Sequence, residues 1–200
     1  MQIITDIAEL ESLYGDVSPA AINKVMTKIT PKYREWISAS RFLILSTVGE
    51  QGTDASPRGD VEAVVKIGDE KTLLLPDWRG NNRMDSLRNI VADGRVSLMF
   101  LVPGSNNVVR VNGRGAVTID ESITSQFEQK GKHPRSVVVV TVEELYFQCA
   151  KALMRSRLWQ ADDESGRVPS TGQLFTEFEE NFDADAYDQG YEAYAEEKMW

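Results

Sequence analysis

The segment Thr72–Phe100 constrains this chain most. In it a short apolar run, a polar turn, an amphipathic stretch and a second apolar run follow one another directly. Leu73, Leu74 and Leu75 make the first run, suited to a buried strand. Pro76 has no N–H, so the ladder is expected to end there. Gly80, Asn81 and Asn82 tolerate left-handed backbone and predict a turn. Asn82 is placed to cap a helix that begins near Arg83, with Met84, Leu87, Ile90 and Val91 on one apolar face. A helix N-terminus exposes free N–H groups and the positive end of the macrodipole. With Arg79 and Arg83 beside it, this turn is a candidate seat for a phosphate dianion.

The rest of the chain reads as a barrel between helices. Asp6, with Glu9 three residues on, predicts a capped first helix ended by Gly15. Ser18-Pro19 and Thr30-Pro31 open two more, through about Lys28 and Ile37. Strands are expected at Arg41–Val48, Asp54–Ser56, Val61–Ile67, Lys71–Leu75, Val96–Leu101, Val108–Ile119 and from Ser136 to Val142 or Phe147. Gly49-Glu50-Gln51-Gly52 is a turn between the first two. Asp120 caps a helix through about Lys130, and Asn112-Gly113 reads as a turn or bulge signal. Strands this closely spaced, with Gly-rich turns, suggest a closed antiparallel barrel. Phe175, Phe178, Phe182, Tyr187, Tyr191 and Tyr194 recur at helical spacing, which predicts a C-terminal helix pair packed on the barrel or on a partner subunit.

Composition excludes several chemistries. The chain has one cysteine, Cys149, and one histidine, His133, so neither a disulfide framework nor a His- or Cys-based metal site can be built within it. The single cysteine suits a reducing cytoplasm, and the first residues do not read as a signal peptide. No apolar run reaches membrane-spanning length. Thr176–Trp200 carries nine acids against one base, so the rest of a chain of net charge −9 is close to neutral. No basic arm or stripe points to nucleic acid.

The turn Asn81-Asn82-Arg83 and the run Arg95-Val96-Ser97-Leu98-Met99-Phe100 resemble the phosphate clip and following strand of the pyridoxamine 5′-phosphate oxidase-like flavoproteins. Ala55-Ser56-Pro57-Arg58-Gly59-Asp60, Val109–Gly115 and Cys149–Trp159 fit a subgroup of candidate oxidases in that family. Together these segments cover most of the chain from about Arg41 to Trp159. The resemblance implies a mainly β fold with flanking helices, the antiparallel FMN-binding split β-barrel of about six strands. It is read as one domain over residues 1–200, with N-terminal helices over 1–40, the barrel over 41–160 and an acidic helical extension over 161–200. The implied protein is a homodimeric, cytoplasmic, FMN-dependent oxidoreductase. It would have FMN at the dimer interface and act on a small-molecule substrate or electron donor. A non-catalytic flavin-binding or flavin-sensing protein on the same fold is the alternative. The lone histidine, and the absence of an Arg-x-His clamp near the C-terminus, set the chain apart from an authentic pyridoxamine phosphate oxidase.

The same resemblance implies the cofactor-binding residues. Asn81, Asn82 and Arg83 take the phosphate, with Asn82 standing where relatives carry arginine, so that Arg58 beside Ser56 is the candidate second cation. Pro76 and Asp77 line the flavin ring. Lys151, Arg155 and Trp159 lie in a segment that closes over the cofactor from the same or the neighbouring subunit. From the residues themselves, Arg58 can equally pair with Asp54 or Asp60. Arg83 can be an exposed first-turn arginine and Trp78 a surface anchor. Lys151 and Arg155 can form a solvated basic face, with Trp159 in the core. Cys149 reads as a packed small hydrophobe and His133 as a loop residue. No catalytic acid or base is identified.

Overall fold

Alternation builds the sheet. Along β1 (Phe42–Gly49) buried Leu43, Leu45 and Thr47 alternate with half-buried Ile44, Ser46 and Val48. Along β5 (Arg95–Leu101) Val96, Leu98 and Phe100 do the same. The protein is described by a computed structural model over residues 1–50 and 52–200. Gln51, expected in the turn after β1, lies outside the described residues. The other strands are β2 (Gly52–Gly59), β3 (Lys66–Ile67), β4 (Thr72–Asp77), β6 (Val108–Thr118) and β7 (Ser136–Gln148). All pair antiparallel in one seven-stranded sheet of order β2-β1-β5-β6-β7-β4-β3. With its flanking helices this is the expected split barrel, with seven strands in place of about six.

The core is a large cluster that includes Leu43, Leu45, Leu73, Leu75, Leu98 and Phe100, with Ile37 packed into it, and a small second one of Leu74, Phe127 and Val137. Ile37 comes from α3 (Pro31–Ala39), which follows α1 (Ile7–Tyr14) and α2 (Pro19–Asn23). The Asp6 side chain caps α1 through the Glu9 N–H, and Gly15 ends it. Helix α2 stops at Asn23, well before Lys28. A turn follows instead, and Met26 exchanges both backbone hydrogen bonds with Leu145 of β7, at 2.9 and 2.7 Å.

Several boundaries differ from the sequence expectation. Pro76 does not end its strand: it pairs in register with Val137. The Thr72 carbonyl accepts from the Gly68 N–H on the β3 side. By alternation Pro76 faces that same side, where two-residue β3 offers no partner, so its missing N–H leaves no broken bond. Val61–Ile67 pairs only at Lys66 and Ile67, because adjacent Val64 and Val65 are both buried and the segment cannot alternate. It crosses the barrel end instead, with the Asp60 and Val64 N–H groups on the carbonyls of Arg41 and Ser40. Strand β2 is longer than Asp54–Ser56, and α5 (Glu121–Thr124) ends well before Lys130. Strand β7 runs through to Gln148. Opposite Asn112 and Gly113 of β6 it carries a bulge, where Asn112 pairs with Glu144 but Gly113 with Val142, leaving Glu143 as the extra residue.

Beyond the barrel lie α6 (Lys151–Ser156), α7 (Thr171–Phe175) and α8 (Ala184–Lys198). The aromatic repeat packs mainly on itself: the Phe175 ring stands 4.7 Å from Phe182, 5.1 Å from Tyr187 and 5.2 Å from Phe178. No residue of α8 is buried.

Two outcomes follow from this architecture. A side chain at Gly113 would meet the Thr141 carbonyl and the Glu143 N–H of the bulge. Gly113→Ala therefore destabilises the protein by about 1–3 kcal/mol, seen as a lowered denaturant midpoint. At the start of β5, Arg95 hydrogen bonds hold the Asp93 carboxyl down to about 2. A depressed folded-state pKa contributes stability above the unfolded value and loses it as pH falls through the folded one. The Tm deficit of Asp93→Asn is thus present at neutral pH and vanishes as pH falls from about 4 to about 2.

Candidate functional site

Sheet order puts β2 at one end and β4-β3 at the other, yet the sheet rolls until their side chains meet. Arg58 Nη1 of β2 donates to Asp77 Oδ1 of β4 at 2.7 Å. Just beyond, Trp78 Nε1 donates to Asp60 Oδ2 at 2.8 Å, and Gln129 Nε2 to Asp60 Oδ1 at 2.9 Å. Side chains, not a ladder, span this seam, and a cavity of about 1400 Å³ opens along it. Its walls are β2, the end of β4, the turn after it, the loop leading into β7 and the last residues of the chain.

Seven of the ten cofactor-binding residues that the resemblance implies line this cavity, Ser56, Arg58, Pro76, Asp77, Asn81, Asn82 and Arg83, and Arg79 lines it with them. Lys151, Arg155 and Trp159 do not. Lys151 and Arg155 are exposed on α6, while Trp159 Nε1 donates to the Ser105 carbonyl at 2.7 Å, away from the cavity. Arg58 takes neither Asp54 nor Asp60 as its partner but Asp77. That partner was invisible in the sequence because it depends on the roll of the sheet. The Arg58 Nε is buried and has no hydrogen-bond partner among the described residues. Arg58 thus brings a partly desolvated cation with an unused donor to the cavity wall. Asp54 instead accepts from the Ser86 hydroxyl.

The turn itself is built differently from the expectation. Asn82 does not cap the helix. It adopts φ 60°, as does Met84 at φ 61°, and α4 (Asp85–Ala92) begins only at Asp85. Asn81 does the local work: its Oδ1 accepts the Arg83 N–H at 3.0 Å. Left-handed backbone suits asparagine but strains methionine. Asp85 supplies an acid to the first turn of α4 and pairs with the Arg83 guanidinium, whose side chain is 79% exposed. The helix end therefore already carries its own carboxylate beside the arginine.

Sequence reasoning missed the other half of the cavity. Trp78 is half-buried, and its ring meets the buried Trp200 edge-on at 5.2 Å. Lys132 Nζ donates to the Trp200 carbonyl oxygen at 2.9 Å. Next to it, His133 Nδ1 faces the Phe127 carbonyl, which can only accept, so this nitrogen carries the proton. Glu197 lies near enough to two cations of this wall, Arg79 and Lys132, to be influenced by both. Its hydrogen bond to Lys198 holds its carboxyl below the usual range, and Arg79 and Lys132 add to the effect. Trp200 stands outside the Tyr187, Tyr191, Tyr194 spacing, so periodicity gave no signal for it. Cys149 is exposed, not packed. Among the described residues no group of three or more metal-ligating side chains occurs, and no helix is long and apolar enough to cross a membrane.

The family model described as pyridoxamine 5′-phosphate oxidase matches residues 29–149. No curated protein sequence matches the chain. Among solved structures, a histidine-to-alanine variant of HupZ from Group A Streptococcus aligns at TM-score 0.50 and 17% identity, over 60% of this chain and 99% of that one. The General Stress Protein 26 from Bacillus anthracis aligns at TM-score 0.44 and 13% identity, over 57% and 88%. An FMN-binding protein from Syntrophomonas wolfei aligns at TM-score 0.43 and 15% identity, over 72% and 97%. The HupZ alignment supports the barrel alone. The family match spans more than half of the chain, including β1 to β7 and most of the cavity wall, and on that ground the chain belongs to the pyridoxamine 5′-phosphate oxidase family.

Proposed function

We propose that this protein is an FMN-dependent oxidoreductase, acting as a homodimer on a small-molecule substrate or electron donor. The observation that carries the reading is the cavity at the seam. Its wall joins the family-matched segments Ser56–Arg58, Pro76–Asp77 and Asn81–Arg83, and in it a buried guanidinium nitrogen has no partner among the described residues.

The donor set fits the group. A phosphate dianion asks for cations and backbone donors, and a ribityl chain for hydrogen-bonding side chains. Arg83, 79% exposed and tied to the neighbouring Asp85, can swing from that carboxylate to a phosphate. Asn81 and Asn82 bend the backbone around it. Arg58 is held in place by Asp77 and keeps Nε for an acceptor, while the Ser56 hydroxyl supplies hydrogen bonding nearby. Pro76, buried, offers an apolar surface for a flat ring. Bound FMN would supply hydride transfer, with reoxidation by oxygen or another acceptor. The chain's own part is then placement and electrostatics, which agrees with a sequence that offers no obvious acid–base residue.

The homodimer part of the proposal rests on the second face of the sheet. Pro57, Ile44, Met99, Arg110 and Tyr146 form one row across β2, β1, β5, β6 and β7. All are exposed or half-buried, and four of the five are apolar or aromatic. A partner seated there would bring a second α6 with it. Lys151, Arg155 and Trp159 would then complete the partner's cofactor site rather than their own.

Three measurements test this reading. Purified protein is expected to bind FMN with a flavin absorbance band and to oxidise a reductant under oxygen. Bound flavin without turnover of any reductant would leave a flavin-binding protein instead. Arg83→Ala is expected to weaken FMN by roughly tenfold or more, about 1.4 kcal/mol, and riboflavin hardly at all. Equal weakening would remove the phosphate role. Sedimentation should give a species of twice the chain's 22.4 kDa, reduced to a monomer by Met99→Glu.

A further inference from the structure

We propose that Trp200 is a displaceable cap on the candidate site, seated against Trp78, and that a flavin reaches the cavity only when the end of α8 lifts away. The inference rests on the flavin reading above and adds to it the control of access to the same cavity.

Three observations carry it. Trp200 is the only buried residue between Gly172 and the end of the described chain. Its ring packs edge-on against Trp78 at 5.2 Å, and its carbonyl oxygen accepts from Lys132 at 2.9 Å. Trp78 belongs to the turn that follows β4, and Lys132 to the loop that leads into β7, so the contact bridges two walls of the cavity.

Helix α8 is tied most closely at its two ends. At its start the Gly172 N–H donates to Asp188 Oδ1 at 2.9 Å, and a side chain at Gly172 would collide with the Ala184 backbone, so α7 and α8 are closely joined. At its far end Trp200 is the anchor. Between them no residue of α8 is buried, and Tyr191 and Met199, which also line the cavity, are each 48% exposed. Helix α8 is thus joined to α7 at its start and held to the cavity rim by the contacts of Trp200, so release of those contacts frees its far end.

Charge reinforces the seat. The last part of the chain is strongly acidic, and Glu197 lies close enough to Arg79 and Lys132 for both cations to act on it. Those same cations line the cavity. While the end of α8 is down, Lys132 is engaged by Trp200 and the rim is partly neutralised. When it lifts, both cations become available to an incoming anion. A capped site binds with an affinity reduced by the fraction of molecules that are open.

The test uses the full chain. FMN association is followed by quenching of flavin fluorescence on rapid mixing. Trp200→Ala is expected to raise the association rate constant several-fold, and Trp200→Phe to leave it near that of the parent. An unchanged or slower rate in Trp200→Ala overturns the cap. The second measurement needs no flavin. In protein labelled with 5-fluorotryptophan, the Trp78 fluorine resonance, assigned through Trp78→Phe, should move in Trp200→Ala. A Trp78 signal that stays in place shows that the rings do not meet and also overturns the cap. If neither chain binds FMN, the flavin reading falls and the control of flavin entry falls with it, whereas FMN binding with an unchanged rate overturns the cap alone.

Discussion

The pair Arg58–Asp77 is what makes an open sheet into a barrel with a site. Seven strands in the order β2-β1-β5-β6-β7-β4-β3 have two free ends, and no ladder joins them among the described residues. The guanidinium of β2 and the carboxylate of β4, with side chains 20% and 23% exposed, fasten one end to the other. Trp78 and Gln129 repeat the arrangement on Asp60. A seam closed by long side chains is wider than one closed by backbone hydrogen bonds, and that extra width is the cavity. Removing one partner would strand the other in a partly desolvated place, which costs more than the pair itself contributes. Closure and site are therefore one feature, because the residues that hold the barrel shut are the ones a ligand would meet.

Local pattern made the strands legible and their spacing suggested a closed barrel, but nothing in it reported which side chains the closure brings together. Leu43, Leu45, Leu98 and Phe100 alternate in the chain as they do in the core, so β1 and β5 could be read directly. The turn Gly80–Arg83 was legible from its glycine and asparagines. Its details were not, because Asn81 rather than Asn82 makes the side-chain bond, and Met84 enters a conformation that propensity disfavours. Pro76 misled because its effect depends on which edge it faces, a property of the neighbouring strand. Arg58 was recognised as a candidate cation, while its carboxylate partner lies 19 residues away on a strand at the other end of the sheet. Trp200 carried no periodic signal at all, and only the course of α8 brings it to Trp78.

Membership in the pyridoxamine 5′-phosphate oxidase family fixes the framework and leaves the chemistry to the cavity. A fold of this kind serves different functions through the side chains placed on it. Here those side chains are cationic at the turn, paired at the seam and aromatic at the C-terminal end. The cavity thus joins a cationic turn at Arg83 to an aromatic pair, Trp78 and Trp200, set among charged side chains.

The backbone pairing of Met26 with Leu145 decides which edges of the sheet stay open to further strands. Strand β4 covers β7 only from Ser136 to Thr141, so on that side the second half of β7 is a bare margin rich in apolar residues. An unguarded margin of that kind recruits other chains and seeds aggregates. Met26 occupies it with two hydrogen bonds, the Tyr33 hydroxyl accepts the Phe147 N–H, and the Lys24 ammonium sits over the rings of Tyr146 and Phe147. The N-terminal segment, whose first helix buries nothing, covers this stretch of β7 and closes it to strand addition at that edge.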